Sequence, residues 1–159
     1  MKPKEFIEVV LINELGEIID HKPYISFAIM AIGLEFLGKS LNSNQQDWNK
    51  RGNSQKDFER PIKKLKSMEK YKPFLKEYDL WDSLRNGMLH AFVPKGTIGL
   101  SSKGGRPHLI KASNTKAINL KCEDFYEDFK NACLEVIAID FLPNDKMNRE
   151  LIYTNSSKP

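Results

Sequence analysis

Residues Asp79–Pro94, DLWDSLRNGMLHAFVP, decide how this chain is read. The stretch predicts a helix of about four turns closed by Pro94, because a proline biases the residue before it, here Val93, out of the helical region. At about 100° per residue, Leu80, Leu84, Gly87 and Ala91 share one narrow face with Met88 at its edge, which makes a core stripe. Trp81, Phe92, Arg85 and Leu89 come next around the axis, so the apolar arc is about twice the width that one core contact requires. Arg85 therefore sits inside a second apolar patch. A polar row of Asp82, Asn86 and His90, spaced four apart, stacks along the neighbouring side.

Two accounts of Arg85 and His90 are open on these residues alone. In the first, Arg85 lays its methylenes along Trp81 and reaches water while His90 caps the last carbonyls of the helix. In the second, the pair supplies what metal-free phosphoryl transfer needs: a fixed positive charge for the developing phosphorane and a group that exchanges a proton near neutrality.

The string Arg85-Asn86-Gly87-Met88-Leu89-His90 has an Arg-x4-His spacing with a polar residue directly after the arginine. It resembles the signature of the HEPN superfamily (higher eukaryote and prokaryote nucleotide-binding domains), all-helical proteins many of which are metal-independent RNases. The longer string LRNGMLHAFVPKG is similar to the small bacterial branch of that superfamily. The likeness covers residues 5–140 in architecture but only the motif string in letters. It implies a homodimer with the site at the subunit interface. Catalytic roles then fall to Arg85, His90 and Asn86, with Glu35 and Asp82 in support. Burial of a Trp81/Leu89/Phe92 patch around a two-fold axis would bring two His90 side chains together.

Outward from the motif, 159 residues with 40% apolar and 29% charged composition predict one domain with a real core. The expected class is mainly all-α, a four- to five-helix up-and-down bundle with a small β-hairpin or meander after the motif helix, at 97–121. Met1 to Phe6 lead into an acid-bearing amphipathic segment, so no secretory leader is expected. Cys122 and Cys133 are too few for a disulfide framework, and no Cys/His cluster has zinc spacing. A cytoplasmic protein without metal or cofactor is the expectation. A nuclease of this kind would use the RNA's own 2′-hydroxyl as nucleophile, leaving DNA inert.

Residues 3–20 predict a first helix with a ragged apolar side of Phe6, Val9, Val10, Leu15, Ile18 and Ile19. From Pro23 to Leu41 the chain is apolar almost all round. Glu35 and Lys39 interrupt that run and it is short of the ~20 residues a bilayer requires, so a central buried helix is predicted, and no membrane association. A carboxylate inside such a helix calls for a partner. Arg85 is the candidate, the alternative being that Glu35 emerges at an exposed end. Residues 42–56 predict a long polar surface loop, partly disordered, with Trp48 either pinning it or offering a stacking surface.

A third helix is expected from Asp57 to Tyr71, with Pro61 tolerable only near its first turn. Residues 50–76 hold ten cations against three acids, a net +7 in a chain of +4. Lys63, Lys64 and Lys66 are therefore candidate phosphate contacts, and the alternative is a solvated lysine-rich face. Thr97–Ser101, Arg106–Ala112 and Ala117–Lys121 read as strands, with turns at Lys103-Gly104-Gly105 and Ser113-Asn114-Thr115. Arg106, His108 and Lys111 on this meander are further candidate contacts, His108 being read otherwise as an exposed hairpin residue. A last helix at 122–142 buries Phe125, Phe129, Ala132, Val136 and Ile139, and a polar tail at 144–159 is expected to fray.

Three functional classes follow. The first is an endoribonuclease acting as a toxin or phage-defence effector, restrained by a separate antitoxin because no nucleotidyltransferase motif occurs in the chain. The second is a catalytically inactive HEPN-like nucleotide-, RNA- or protein-binding domain. The third is an unrelated helical dimer in which Arg85 and His90 are structural.

Overall fold

The computed structural model describes residues 1–111 and 116–151. Its first helix runs from α1 (Pro3–Phe6) through a π-helical stretch, Ile7–Glu14, into α2 (Leu15–Ile18). Longer helices follow at α3 (Pro23–Ser40) and α4 (Ser54–Lys64), then a 3-10 helix at Lys66–Tyr71 and a single turn, α5 (Phe74–Glu77). A second π-helix, Trp81–Ala91, carries the Arg/His motif. Two short strands, β1 (Ile98–Ser101) and β2 (Ile118–Lys121), precede α6 (Cys122–Ile137) and a closing 3-10 turn, Lys146–Asn148. The fold is mainly helical with one small sheet, and among the described residues no helix is long and apolar enough to cross a membrane.

The raggedness of the first helix has a physical source. Buried along it are Ile7, Leu11, Leu15 and Ile19, at steps of four, with Ile12 beside them. Tyr126 of α6 inserts its hydroxyl here, donating to the Ile12 carbonyl at 2.6 Å, and a side chain inserted into the hydrogen-bond ladder is a recognised cause of such distortion.

On α3, Phe27, Met30, Ala31, Leu34 and Leu37 are buried. Burial on every side is not found: Tyr24, Ile25 and Ile32 are exposed, Ile32 by 48%. The helix against which α3 packs most closely is α4. Pro61 lies well inside α4, beyond the first turn where it was expected. Lacking an N–H, it leaves the Asp57 carbonyl without its helical donor. That carbonyl is pressed onto Gly38, where a Cβ would lie 1.6 Å from the oxygen. Beside this crossing the buried Asp57 pairs with Arg60, which also donates to the Gly38 carbonyl. The expected single helix to Tyr71 is broken at Leu65, which is extended (φ −92°, ψ 138°). The next segment starts with its Lys66 and Ser67 amides donating to Glu135 of α6.

The polar loop after α3 is fastened down. Trp48 stacks on Phe36 with centroids 4.9 Å apart, and Lys146 from the chain's far end is buried beneath the loop, donating to the carbonyls of Asn42 (2.7 Å) and Gln45. Pinning is thus the role of Trp48. The tail is not frayed as far as residue 151, because Lys146 and Met147 are buried and the Leu151 amide donates to the Met1 carbonyl; residues 152–159 lie outside the described residues. The last helix stops at Ile137, short of Pro143.

The expected antiparallel meander is replaced by a parallel pair, Ile98 to Ser101 against Ile118 to Lys121. The Lys103-Gly104 turn forms, but the chain after it does not become a strand. Pro107 has no N–H to contribute to a ladder, Leu109 is at φ +56°, and the side-chain Nδ2 of Asn119 donates to the carbonyls of Arg106 and Pro107. Among the described residues one antiparallel bridge, Lys111 to Ile118, remains. The turn expected at Ser113-Asn114-Thr115 lies outside the described residues.

Candidate functional site

The motif helix opens at Asp79, whose carboxylate accepts from the Asp82 amide at 3.3 Å. Leu80, Leu84, Gly87 and Met88 are buried as the core stripe requires, but Ala91 is exposed. The helix ends before Pro94: Phe92 takes the left-handed conformation (φ 57°), and both its amide and that of Val93 go to the Gly87 carbonyl. The chain then doubles back, with the Lys95 amide on the Ser83 carbonyl at 2.9 Å. Gly87 makes this return possible, since a Cβ there would stand 2.6 Å from the Val93 oxygen.

The widened turn changes which residues stack. In a π-helix the hydrogen bond spans five residues, so a residue and its fifth neighbour are one turn apart. Arg85 and His90 have that spacing, and both lie within Trp81–Ala91. In an α-helix the same pair would diverge by about 140°, five steps of about 100°.

Arg85 is firmly held. Its Nε and one terminal nitrogen donate to the same Glu35 oxygen, at 3.0 and 2.7 Å, and the other terminal nitrogen donates to Asn86 Oδ1 at 3.0 Å. Of the five guanidinium N–H groups, three are used and two are uncommitted among the described residues. The ion pair is partly buried, the side chains of Arg85 and Glu35 being 17% and 13% exposed. Glu35 also accepts from the Ser54 hydroxyl at 2.8 Å, with Lys39 at 3.7 Å from its other oxygen.

Asn86 does not orient the His90 ring. Its Nδ2 donates to Asp82 at 3.2 Å, and Asp82 in turn accepts from Lys95 at 2.6 Å. The Lys95 ammonium, with Asn86 second, holds the Asp82 carboxyl below its usual range. Lys95, Asp82, Asn86, Arg85, Glu35 and Ser54 thus form one continuous polar chain. His90 stands exposed at its side, and no hydrogen bond to its ring is made among the described residues.

Trp81 and Leu89 are half-buried and Phe92 is 56% exposed. Phe92 lies against Tyr24, ring centroids 6.0 Å apart, and its carbonyl accepts from the Tyr24 hydroxyl. With Val93, Ile25 and Ile32, these residues leave apolar surface on the two helices that hold Arg85.

The basic candidates other than His108 are exposed. Lys63 pairs with Glu59 along α4, Lys64 and Lys66 are exposed, and Arg106 is exposed on the insertion. His108 is not an exposed hairpin residue. Its ring is 11% exposed, Nδ1 accepts from the Lys121 amide at 3.0 Å and Nε2 lies 2.7 Å from the Tyr71 hydroxyl. Tyr71 donates onward to Asp128, which also pairs with Lys70. Because Nδ1 accepts a backbone N–H, the neutral Nε2–H tautomer fits this chain; burial first, and Lys70 besides, pushes the imidazole below its usual pKa. Burial and Asp128 push the Tyr71 phenol upward. The cluster ties the insertion to α6 and takes His108 out of reach of a phosphate.

Neither cysteine is a nucleophile: both are buried, with Cys122 pushed up to about 12 and Cys133 also raised. Sequence reasoning missed Ser54, Lys95 and Tyr24. Ser54 and Tyr24 reach the site from distant points in the chain, with no local pattern to mark them, and Lys95, just past Pro94, is brought back to Asp82 only by the reversal of the chain after Phe92. No family model, no curated protein and no solved structure matches this chain.

Proposed function

We propose that this chain is a metal-independent endoribonuclease of HEPN type, a helical bundle that cuts RNA at a site completed by a second copy of itself. The observation that carries the reading is Arg85, fixed by Glu35 and Asn86 with two N–H groups uncommitted, one π-turn from an unencumbered His90. A guanidinium so held is preorganised for charge that develops on phosphate oxygens, and it needs no reorganisation at the moment of reaction. His90 of one copy takes the proton from the ribose 2′-hydroxyl as that oxygen attacks phosphorus. The 5′-oxygen leaves with a proton from His90 of the other, and the products are a 2′,3′-cyclic phosphate and a 5′-hydroxyl. Exposed Phe92, Val93, Ile25 and Ile32 are the apolar surface such a pairing would cover.

The second reading is an RNA- or protein-binding domain without turnover. It is favoured by the depth to which Arg85 is committed to Glu35, since an arginine at 17% exposure is also a sound structural ion pair. Incubation with single-stranded RNA in EDTA separates the two. The nuclease releases fragments with cyclic phosphate ends, and His90→Ala abolishes release while the protein stays folded. Equal cleavage by wild type and variant would trace to contamination and leave the binding domain. A separate protein antitoxin and a cytoplasmic setting belong to the nuclease reading.

A further inference from the structure

At the inner end of the Arg85–Glu35 pair the surface opens into a cleft of about 320 Å³, in the range that takes a nucleotide-sized ligand. Its walls are the end of α3 and the loop leading into α4, with Glu35, Lys39, Trp48, Lys50, Arg51 and Ser54 among the lining residues. Lys39, Lys50 and Arg51 give it three cations against one carboxylate. That carboxylate is already engaged: one Glu35 oxygen accepts from Arg85 and Ser54, and the other faces Lys39. Lys50 and Arg51 are exposed and have no acidic partner among the described residues.

One further feature suits an anion. Asn53, which caps α4, makes no side-chain bond to the first-turn amides of that helix, so the positive end of the dipole faces the cleft unscreened by its own cap. The wall is also preformed, because Trp48 stacks on Phe36 and Lys146 lies over its ring at 5.3 Å.

We infer that this cleft binds a backbone phosphate of single-stranded RNA next to the linkage held at Arg85, with Lys50 and Arg51 as the principal contacts. Base stacking on Trp48 is not part of the site, since Phe36 and Lys146 already lie against its ring. The inference rests on the ribonuclease reading for its substrate, but its test does not depend on cleavage. A 2′-O-methyl oligoribonucleotide, which cannot be cut by 2′-hydroxyl attack, is titrated by fluorescence anisotropy at several salt concentrations. Relative to wild type, Lys50→Ala/Arg51→Ala should bind at least tenfold more weakly, and its salt slope should be shallower by about 1.4, the value for two lost single-strand phosphate contacts. With unmodified RNA, the same variant should show a raised KM.

Equal affinity and slope in wild type and variant would overturn the cleft as an RNA site, as would no binding by wild type at 50 mM salt. Binding that depends on Lys50 and Arg51 without cleavage of unmodified RNA would retain the cleft and remove the ribonuclease. Cleavage with binding indifferent to those two residues would do the reverse.

Discussion

Arg85 and Glu35 share a single carboxylate oxygen, which accepts from two guanidinium nitrogens at 3.0 and 2.7 Å. The motif helix is thereby pinned to α3 at the residue proposed to meet the phosphate. Glu35→Gln keeps the shape and removes the charge. It should cost about 1–3 kcal/mol in urea unfolding, as for a part-buried charged hydrogen bond. If Glu35 positions Arg85 for chemistry, kcat should fall about tenfold with KM little changed, whereas a purely structural pair would leave kcat intact. Arg85→Lys should not restore activity, because an ammonium cannot reproduce the planar fork.

Gly87 is where the returning chain crosses its own helix. Alanine is the better helix former by about 1 kcal/mol, yet Gly87→Ala should destabilise, by about 1–3 kcal/mol. Its methyl would meet the Val93 oxygen at 2.6 Å and the Lys95 nitrogen at 3.0 Å. A lower urea midpoint at unchanged m-value is the expected result; a stabilised protein would mean that residues 93–95 are easily displaced.

Phe92 pairs an unfavourable backbone with an exposed ring. Left-handed geometry costs a non-glycine residue about 1–2 kcal/mol, and its contact with Tyr24 returns about 0.5–1.5 kcal/mol. Phe92→Gly should therefore leave stability within about 1 kcal/mol of wild type. If Phe92 lies in a dimer interface, the same change should weaken self-association at least tenfold by sedimentation equilibrium.

His108 should make stability depend on pH. Its folded pKa is depressed by burial, so the unfolded chain binds the extra proton more readily. The contribution is fully present above about pH 6.5, the ordinary imidazole value, and is lost as pH falls through the folded pKa. His108→Gln should unfold more easily than wild type at pH 7.5, by about 1–2 kcal/mol, and the gap should narrow toward pH 5. The lowered carboxylates Glu77, Asp82 and Glu135 act at still lower pH, which keeps the two effects apart in a thermal-midpoint series.

Much of the scaffold is legible because burial imposes a period. The stripe of α6 and the almost wholly apolar α3 read directly as helix, and a lone carboxylate in an apolar helix points to a cation elsewhere, which is how Glu35 leads to Arg85. The π-helices are not legible. A stripe four residues apart fits an α turn as well as a slightly wider one, and the cause in the first helix is the hydroxyl of Tyr126, more than a hundred residues away. The insertion misleads for a similar reason: alternation marks extended chain but not its direction, and it was Pro107, Leu109 and Asn119 that set the pairing. His108 looks solvated because it follows a Gly-Gly turn on what reads as an exposed hairpin, although Tyr71 and Asp128, which enclose it, are remote in sequence. The loop at 42–56 looks loose because the lysine that fastens it, Lys146, belongs to another part of the chain.

The π geometry of Trp81–Ala91 couples the spacing of the two motif residues to the pitch of the backbone. Removing one residue between them would keep arginine and histidine aligned only if the coil tightened to α pitch; adding one would swing the imidazole around the cylinder. Insertions and deletions across residues 86–89 therefore gauge whether the two side chains must act side by side, independently of what either is replaced by.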